Sequence, residues 1–203
     1  MTGKFIVFEG GDGVGKSTQV GLLVAALREQ GHDVVETRQP GGTELGGELR
    51  RLILDPARTI ADRAEALLYA ADKAQHVEEV VRPALRQDKI VVCDRYVDSM
   101  IAYQGAGRAL SADEVAEIAW WGTRGLKPDL TVVLDAEVDV GLDRISRKDR
   151  LEAAGIEFHR RARQHLLDLA AAEPNRYVVL TAHQDRYELA QAVLQQVHSR
   201  FFH

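Results

Sequence analysis

Nine consecutive residues near the start of this chain carry its most specific chemistry: Gly10, Gly11, Asp12, Gly13, Val14, Gly15, Lys16, Ser17 and Thr18. They follow the apolar run Phe5-Ile6-Val7-Phe8 and precede Leu22, Leu23 and Leu27 at helical spacing. The pattern is G-x-x-x-x-G-K-[ST] between a strand and a helix, which is the context that makes it a phosphate loop. Its glycines let backbone N–H groups curl around a phosphate with no Cβ in the way, and the helix beginning near Gly15 turns its positive end to the same place. Lys16 supplies a cation for the β- and γ-phosphates, and Ser17 a hydroxyl for Mg²⁺. The first expected ligand is therefore a nucleoside triphosphate.

Two further clusters sit where strands end. Asp94-Arg95-Tyr96 follows Ile90-Val91-Val92-Cys93. A carboxylate there can hold Mg²⁺ or its water, and the fork of Arg95 suits a second phosphate group. An Asp–Arg ion pair capping the strand is the structural alternative. Arg38-Gln39-Pro40-Gly41-Gly42-Thr43 follows the second apolar run; it forces a turn, offers Thr43 as a helix N-cap and adds the Arg38 cation. Residues 144–150 hold four cations, Arg144, Arg147, Lys148 and Arg150, with Arg160, Arg161 and Arg163 beyond. Such a run reads either as a solvated face or as an arginine-rich flap that neutralises a phosphoryl transition state.

The elements that must position these groups follow from hydrophobic periodicity. Strands are expected at Phe5–Glu9, Asp33–Arg38, Ile90–Asp94, Leu130–Asp135 and Tyr177–Leu180. Helices are expected at Lys16–Gln30, Leu45–Leu54, Arg63–Arg86, Ala112–Trp121, Val138–Arg147, Phe158–Ala172 and Arg186–Arg200. Strands that alternate with helices imply an α/β fold, a five-stranded parallel sheet with helices on both faces, and ligands along the C-terminal strand edge. Glu9, Arg38 and Asp94-Arg95 should converge there. With 203 residues, 45% hydrophobic and 28% charged, the chain reads as one domain, 1–203. A net charge of -5 argues against nucleic acid as the main partner. Cys93, the only cysteine, falls in a buried strand and reads as packing; the seven histidines show no zinc-like spacing. The sequence shows no membrane span and no leader, and the expected location is the cytoplasm.

The chain resembles the bacterial thymidylate kinases of the P-loop nucleoside monophosphate kinase superfamily. The matching pieces are Phe-Glu-Gly-Gly-Asp-Gly-Val-Gly-Lys-Ser-Thr from Phe8, Arg-Gln-Pro-Gly-Gly-Thr from Arg38 and Ala-Glu-Ala-Leu-Leu-Tyr-Ala-Ala-Asp-Lys-Ala-Gln from Ala64. Asp-Arg-Tyr from Asp94, Ala-Tyr-Gln-Gly from Ala102, Lys-Pro-Asp-Leu-Thr from Lys127 and Asp-Arg-Leu-Glu from Asp149 complete the set. They stand in the family's order over almost the whole chain. The resemblance implies ATP- and Mg²⁺-dependent phosphorylation of dTMP to dTDP, supplying dTTP for DNA synthesis, by a homodimer that binds neither nucleic acid nor membrane.

The same resemblance assigns site residues. The loop Gly10–Thr18 and Arg144 bind the donor nucleotide, with Ser17 and Asp94 at the metal. Asp12 binds the acceptor's sugar hydroxyl, and Arg38 and Arg95 grip its phosphate. Tyr69 stacks on the base, and Pro40, Lys73, Ser99, Met100, Tyr103 and Gln104 complete the acceptor pocket. Lys16, Arg95, Arg150 and Arg147 serve the transfer itself, the last two from a small arginine-rich lid at about 146–157. Position 13 is Gly, so the phosphate loop carries no arginine and the lid must supply the catalytic one. Three positions depart from the family pattern: Lys73 replaces an arginine, Met100 a small polar residue and Gln39 a glutamate. A lysine lacks the arginine fork, and a thioether cannot donate a hydrogen bond. A kinase for another pyrimidine nucleotide or nucleoside, with Glu9 as its base, and a P-loop ATPase switch are the rival readings.

Overall fold

Alternating side chains of the central strands build two cores. In β1 (Lys4–Gly10), Phe5 and Val7 join one cluster and Ile6 and Phe8 the other. In β3 (Ile90–Asp94), Val91 and Cys93 face the first, and Ile90 and Val92 the second. This period of two places apolar side chains on both faces, so helices must cover both. The computed structural model describes residues 3–108, 110–142 and 149–202. The remaining strands are β2 (Val34–Arg38), β4 (Leu130–Asp135) and β5 (Tyr177–Thr181). All pair in parallel in the order β2-β3-β1-β4-β5. β1 is central, with β3 and β4 covering its two edges. The register sets Phe8 beside Asp94 and Arg38 beside Asp94, which brings the ends of β1, β2 and β3 together.

One face carries α1 (Lys16–Glu29) and α9 (Arg186–Phe201). The other carries α2 (Glu44–Leu54), α3 (Asp62–His76), α4 (Arg82–Arg86), α5 (Val97–Met100), α6 (Ala112–Gly122) and α8 (Ile156–Ala172). α2 starts on Thr43, whose side chain accepts the Gly46 N–H. The helix expected over Arg63–Arg86 instead divides: a π-helical turn, Val77–Val81, separates α3 from α4. Pro83 near the start of α4 has no N–H to continue the regular ladder, and the wider turn absorbs the break. A second π-helical segment, Ile101–Gly107, continues α5; its glycines carry no periodic apolar signal. Gly107 lets α8 approach, because a Cβ there would meet the Phe158 ring. α7 (Val138–Leu142) is the described part of the helix expected at Val138–Arg147. Arg144, Arg147 and Lys148 lie outside the described residues.

Candidate functional site

The phosphate loop leaves β1 at Gly10 and enters α1 at Lys16. Its conformation needs glycine at position 13, where φ is 71°. A Cβ at Gly13 would also fall on the Gly141 carbonyl of α7, well inside van der Waals contact. That close packing explains in this chain why position 13 holds no arginine. No side chain caps α1, so its first N–H groups stay available to a ligand at the loop. Lys16 is buried and donates to the Gly11 carbonyl at 2.5 Å. Burial, reinforced by the Arg95 charge, pushes its ammonium pKa down to about 8 against Asp12, Asp94 and Glu9. A bound polyphosphate would reverse that shift.

Ser17 Oγ donates to Asp94 Oδ2 at 2.6 Å. This pair of hard oxygen donors at the mouth of the loop fits Mg²⁺, which uses few protein ligands and completes its shell with phosphate and water. Lys16, Ser17, Thr18, Arg38, Asp94 and Arg95 line one cavity with Asp12, Gly13 and Gly15. Among these, Arg38 is solvent-exposed at the end of β2.

A second cavity opens beside the first. Asp12, Pro40, Tyr69, Lys73, Arg95, Ser99, Met100, Tyr103 and Gln104 all line it. The two cavities share Asp12, Gln39, Arg50, Arg95 and Glu152, so they are parts of one cleft. Arg95 stands at the junction with a left-handed φ of 67°. Its Nη2 donates to Asp12 Oδ1 at 2.5 Å, its Nη1 to Ser99 Oγ at 2.9 Å, and it lies 5.0 Å over the Tyr103 ring. Burial alone would raise the Asp12 carboxyl, but Arg95, Lys16 and His159 outweigh it and hold the group below its usual range. Lys73 is 2% exposed, and its Nζ sits 5.6 Å over the Tyr69 ring. Both line the cavity, and Lys73 is buried rather than solvated. Burial depresses the Lys73 ammonium pKa against the pull of Asp72 and Glu9.

The walls of this cavity are tied together. Gln39 donates to His76 Nδ1 at 2.7 Å, and Thr37 Oγ1 meets His76 Nε2 at 2.6 Å. Asp72 accepts the Gly41 N–H at 2.9 Å. Gln104 donates to the buried carboxylate of Glu65 at 2.9 Å. Tyr103 reaches Asp12 at 3.5 Å.

Several residues sit where sequence alone did not place them. Arg150 lines neither cavity: it donates to Glu65 at 2.5 Å and to the Ile53 carbonyl at 2.8 Å. Here it braces residues 149–155 against α2 and α3. Glu9 does not face the cleft. It is fully buried and accepts N–H from Tyr96 at 2.8 Å and Ser99 at 3.1 Å, plus the Ser99 hydroxyl. Burial and Asp98 push its carboxyl up, opposed by Arg95, Ser99 and Tyr96. A carboxylate so enclosed cannot serve a sugar hydroxyl as base. Arg163 is engaged by Asp135 at 2.7 Å and Glu137 at 2.8 Å rather than directed to the loop.

Arg50 of α2 is a cation that sequence reasoning missed. It lines both cavities and donates to the Pro40 carbonyl at 3.0 Å. The only sequence signal was an arginine one turn from a buried helix face beside a glycine turn. His159 was also missed: it is 4% exposed, with Nδ1 3.7 Å from Asp12. Cys93 is buried as expected, its Sγ donating to the Arg95 carbonyl at 3.1 Å. Among the described residues, no helix is long and apolar enough to cross a membrane.

Comparison with known proteins adds an independent line. The family described as thymidylate kinase matches residues 8–193. A thymidylate kinase of Cutibacterium acnes is 59% identical over 198 residues, covering 97% of each chain. One of Clavibacter michiganensis subsp. michiganensis is 56% identical, covering 95% of this chain and 93% of the relative. Among solved structures, the thymidylate kinase of Ehrlichia chaffeensis superposes with a TM-score of 0.82 at 31% identity, covering 96% of this chain and 98% of that one.

Proposed function

Because this chain belongs to the thymidylate kinase family, we propose that it catalyses ATP + dTMP ⇌ ADP + dTDP with Mg²⁺. The observation that carries the reading is the single cleft in which a phosphate loop meets a second, aromatic-lined cavity across Arg95. In-line transfer needs that adjacency of donor and acceptor phosphates. Lys16 and the loop amides hold the donor phosphates. Ser17 and, through water, Asp94 would hold Mg²⁺, which would supply charge neutralisation at the donor oxygens. Arg38, Arg50 and Arg95 hold the acceptor phosphate, and Asp12 meets the sugar hydroxyl. Tyr69, Lys73, Met100 and Gln104 form the base wall. No general base is required, because the attacking atom is already an anionic phosphate oxygen. Arg144 and Arg147 supply the lid's charge, and Arg150 secures the lid segment to Glu65.

A homodimer fits the exposed apolar side chains of three neighbouring helices: Leu45 and Leu52 on α2, Leu67 on α3 and Trp121 on α6, the last 83% exposed. The enzyme acts in the cytoplasm as a single domain, and supplies dTTP for DNA synthesis.

The test is ADP release with ATP and a panel of acceptors: dTMP, dUMP, dCMP, thymidine and none. Turnover on dTMP well above every other acceptor is expected. Faster turnover on thymidine, or ADP release that no acceptor accelerates, would overturn the reading.

A further inference from the structure

Arg95 is held in place by other side chains rather than by the phosphate it would grip. We propose that Glu9 and Ser99 are positioning residues for the acceptor-phosphate grip, the buried Glu9 carboxylate fixing the direction of the Ser99 hydroxyl and that hydroxyl holding the Arg95 guanidinium. The inference rests on Arg95 binding the acceptor phosphate.

The argument turns on proton direction. Glu9 lies at the end of β1 with no exposed surface. Its Oε1 accepts two backbone N–H groups, from Tyr96 and Ser99, and its Oε2 accepts the Ser99 O–H. Burial and Asp98 raise this carboxyl, and the three converging donors, with Arg95 beside them, oppose that rise in favour of the charged form. A serine hydroxyl has one proton and two lone pairs. With the proton committed to Glu9, a lone pair must face the other way, and Arg95 Nη1 donates to it at 2.9 Å. Asp12 fixes the second nitrogen at 2.5 Å. The guanidinium is thus held at both ends, on a backbone in the left-handed region that has few alternatives. Pre-organising the fork before the phosphate arrives lowers the ordering cost of binding.

An amide at position 9 inverts the arrangement without changing its size. The amide oxygen must take the two backbone N–H groups, so its NH₂ faces Ser99. The hydroxyl then accepts from the amide on one lone pair, and its proton, no longer drawn to a carboxylate, is free to rotate, so the second lone pair faces Arg95 in only some orientations. Glu9→Gln therefore loosens the Arg95 contact that Ser99→Ala removes, although Glu9 does not line the cleft.

The experiment varies ATP and dTMP independently in steady state. Turnover by the unaltered enzyme on dTMP is established first; its failure would count against the proposed function and not against the relay. Ser99→Ala should raise the KM for dTMP by about tenfold, the loss of one charged hydrogen bond, with the KM for ATP within about twofold of the original. Ser99→Thr, which keeps the hydroxyl, should restore the original KM. Glu9→Gln should raise the KM for dTMP in the same direction and by no more than Ser99→Ala, and the double variant should be no worse than Ser99→Ala, because both act on one chain of contacts. An unchanged KM for dTMP in Ser99→Ala, an equal rise in both KM values, or additive effects in the double variant would overturn the proposal. Should Glu9→Gln fail to fold by circular dichroism, the Ala and Thr variants at position 99 decide it alone.

Discussion

Acidification should weaken this protein through His76, and His76→Gln should remove that weakness. The ring ends α3 with no exposed surface and joins the α3 wall to the Arg38–Gly42 turn. Gln39 donates to Nδ1, so Nδ1 carries no proton, and Nε2–H donates to Thr37. Burial, then the Lys73 charge, pushes the imidazole pKa down from 6.5 to about 4. Below about pH 6.5 the unfolded chain protonates this histidine while the folded chain holds it neutral. The unfolded state then binds more protons, and stability falls with pH until the folded ring titrates near 4. At about pH 5 the linkage amounts to ~2 kcal/mol relative to about pH 7.5, a fall in Tm of ~4–8 °C for a chain of this size. Urea titrations at the two pH values, followed by Trp120 and Trp121 fluorescence, measure it. The unaltered protein should lose ~2 kcal/mol more than His76→Gln between the two conditions. Equal losses in both proteins would refute the reasoning, because the histidine would then titrate alike folded and unfolded.

Lys16→Ala should lower kcat by more than about a hundredfold with the melting temperature retained, since its charge acts where phosphate charge accumulates. Arg95→Ala should raise the KM for dTMP by an amount corresponding to ~2–4 kcal/mol and leave that for ATP nearly unchanged; steady-state kinetics in both substrates separates the two. Arg150→Ala should cost ~1–3 kcal/mol of stability, because the buried Glu65 loses one of its cationic partners while Arg108 remains at 3.1 Å. Wild-type stability with a collapsed kcat in that variant would assign Arg150 to the transferring phosphoryl instead. Met100→Ser with Lys73→Arg should sharpen preference for dTMP over dCMP by ~1–3 kcal/mol in kcat/KM, non-additively if both side chains meet one base edge. Identical preferences in the unaltered protein, the two single variants and the double variant would show that neither residue reads the base.

The glycine-rich loop and the strands were legible in the sequence because both are local. Gly10–Thr18 is a contiguous loop whose glycines and lysine act through their own backbone and side chains. The strands announce themselves by short apolar runs, and Ile90–Asp94 and Leu130–Asp135 stand at the expected residues. Arg38, Asp94 and Arg95 could be expected together because parallel strands deliver their ends to one edge. Other features depend on what lies across space. Arg50 looks like any surface helix arginine until α2 lays it over Pro40. Glu9 reads as a polar strand end, and becomes a buried anchor only when the residues after β3 fold back over it. Arg150 belongs to a basic run in sequence, yet Glu65 lies 85 positions away and claims it. Periodicity and motif report the neighbours a residue has along the chain. The partner that turns a charge into a ligand, a brace or a support is set by burial, and burial is decided only when distant elements pack.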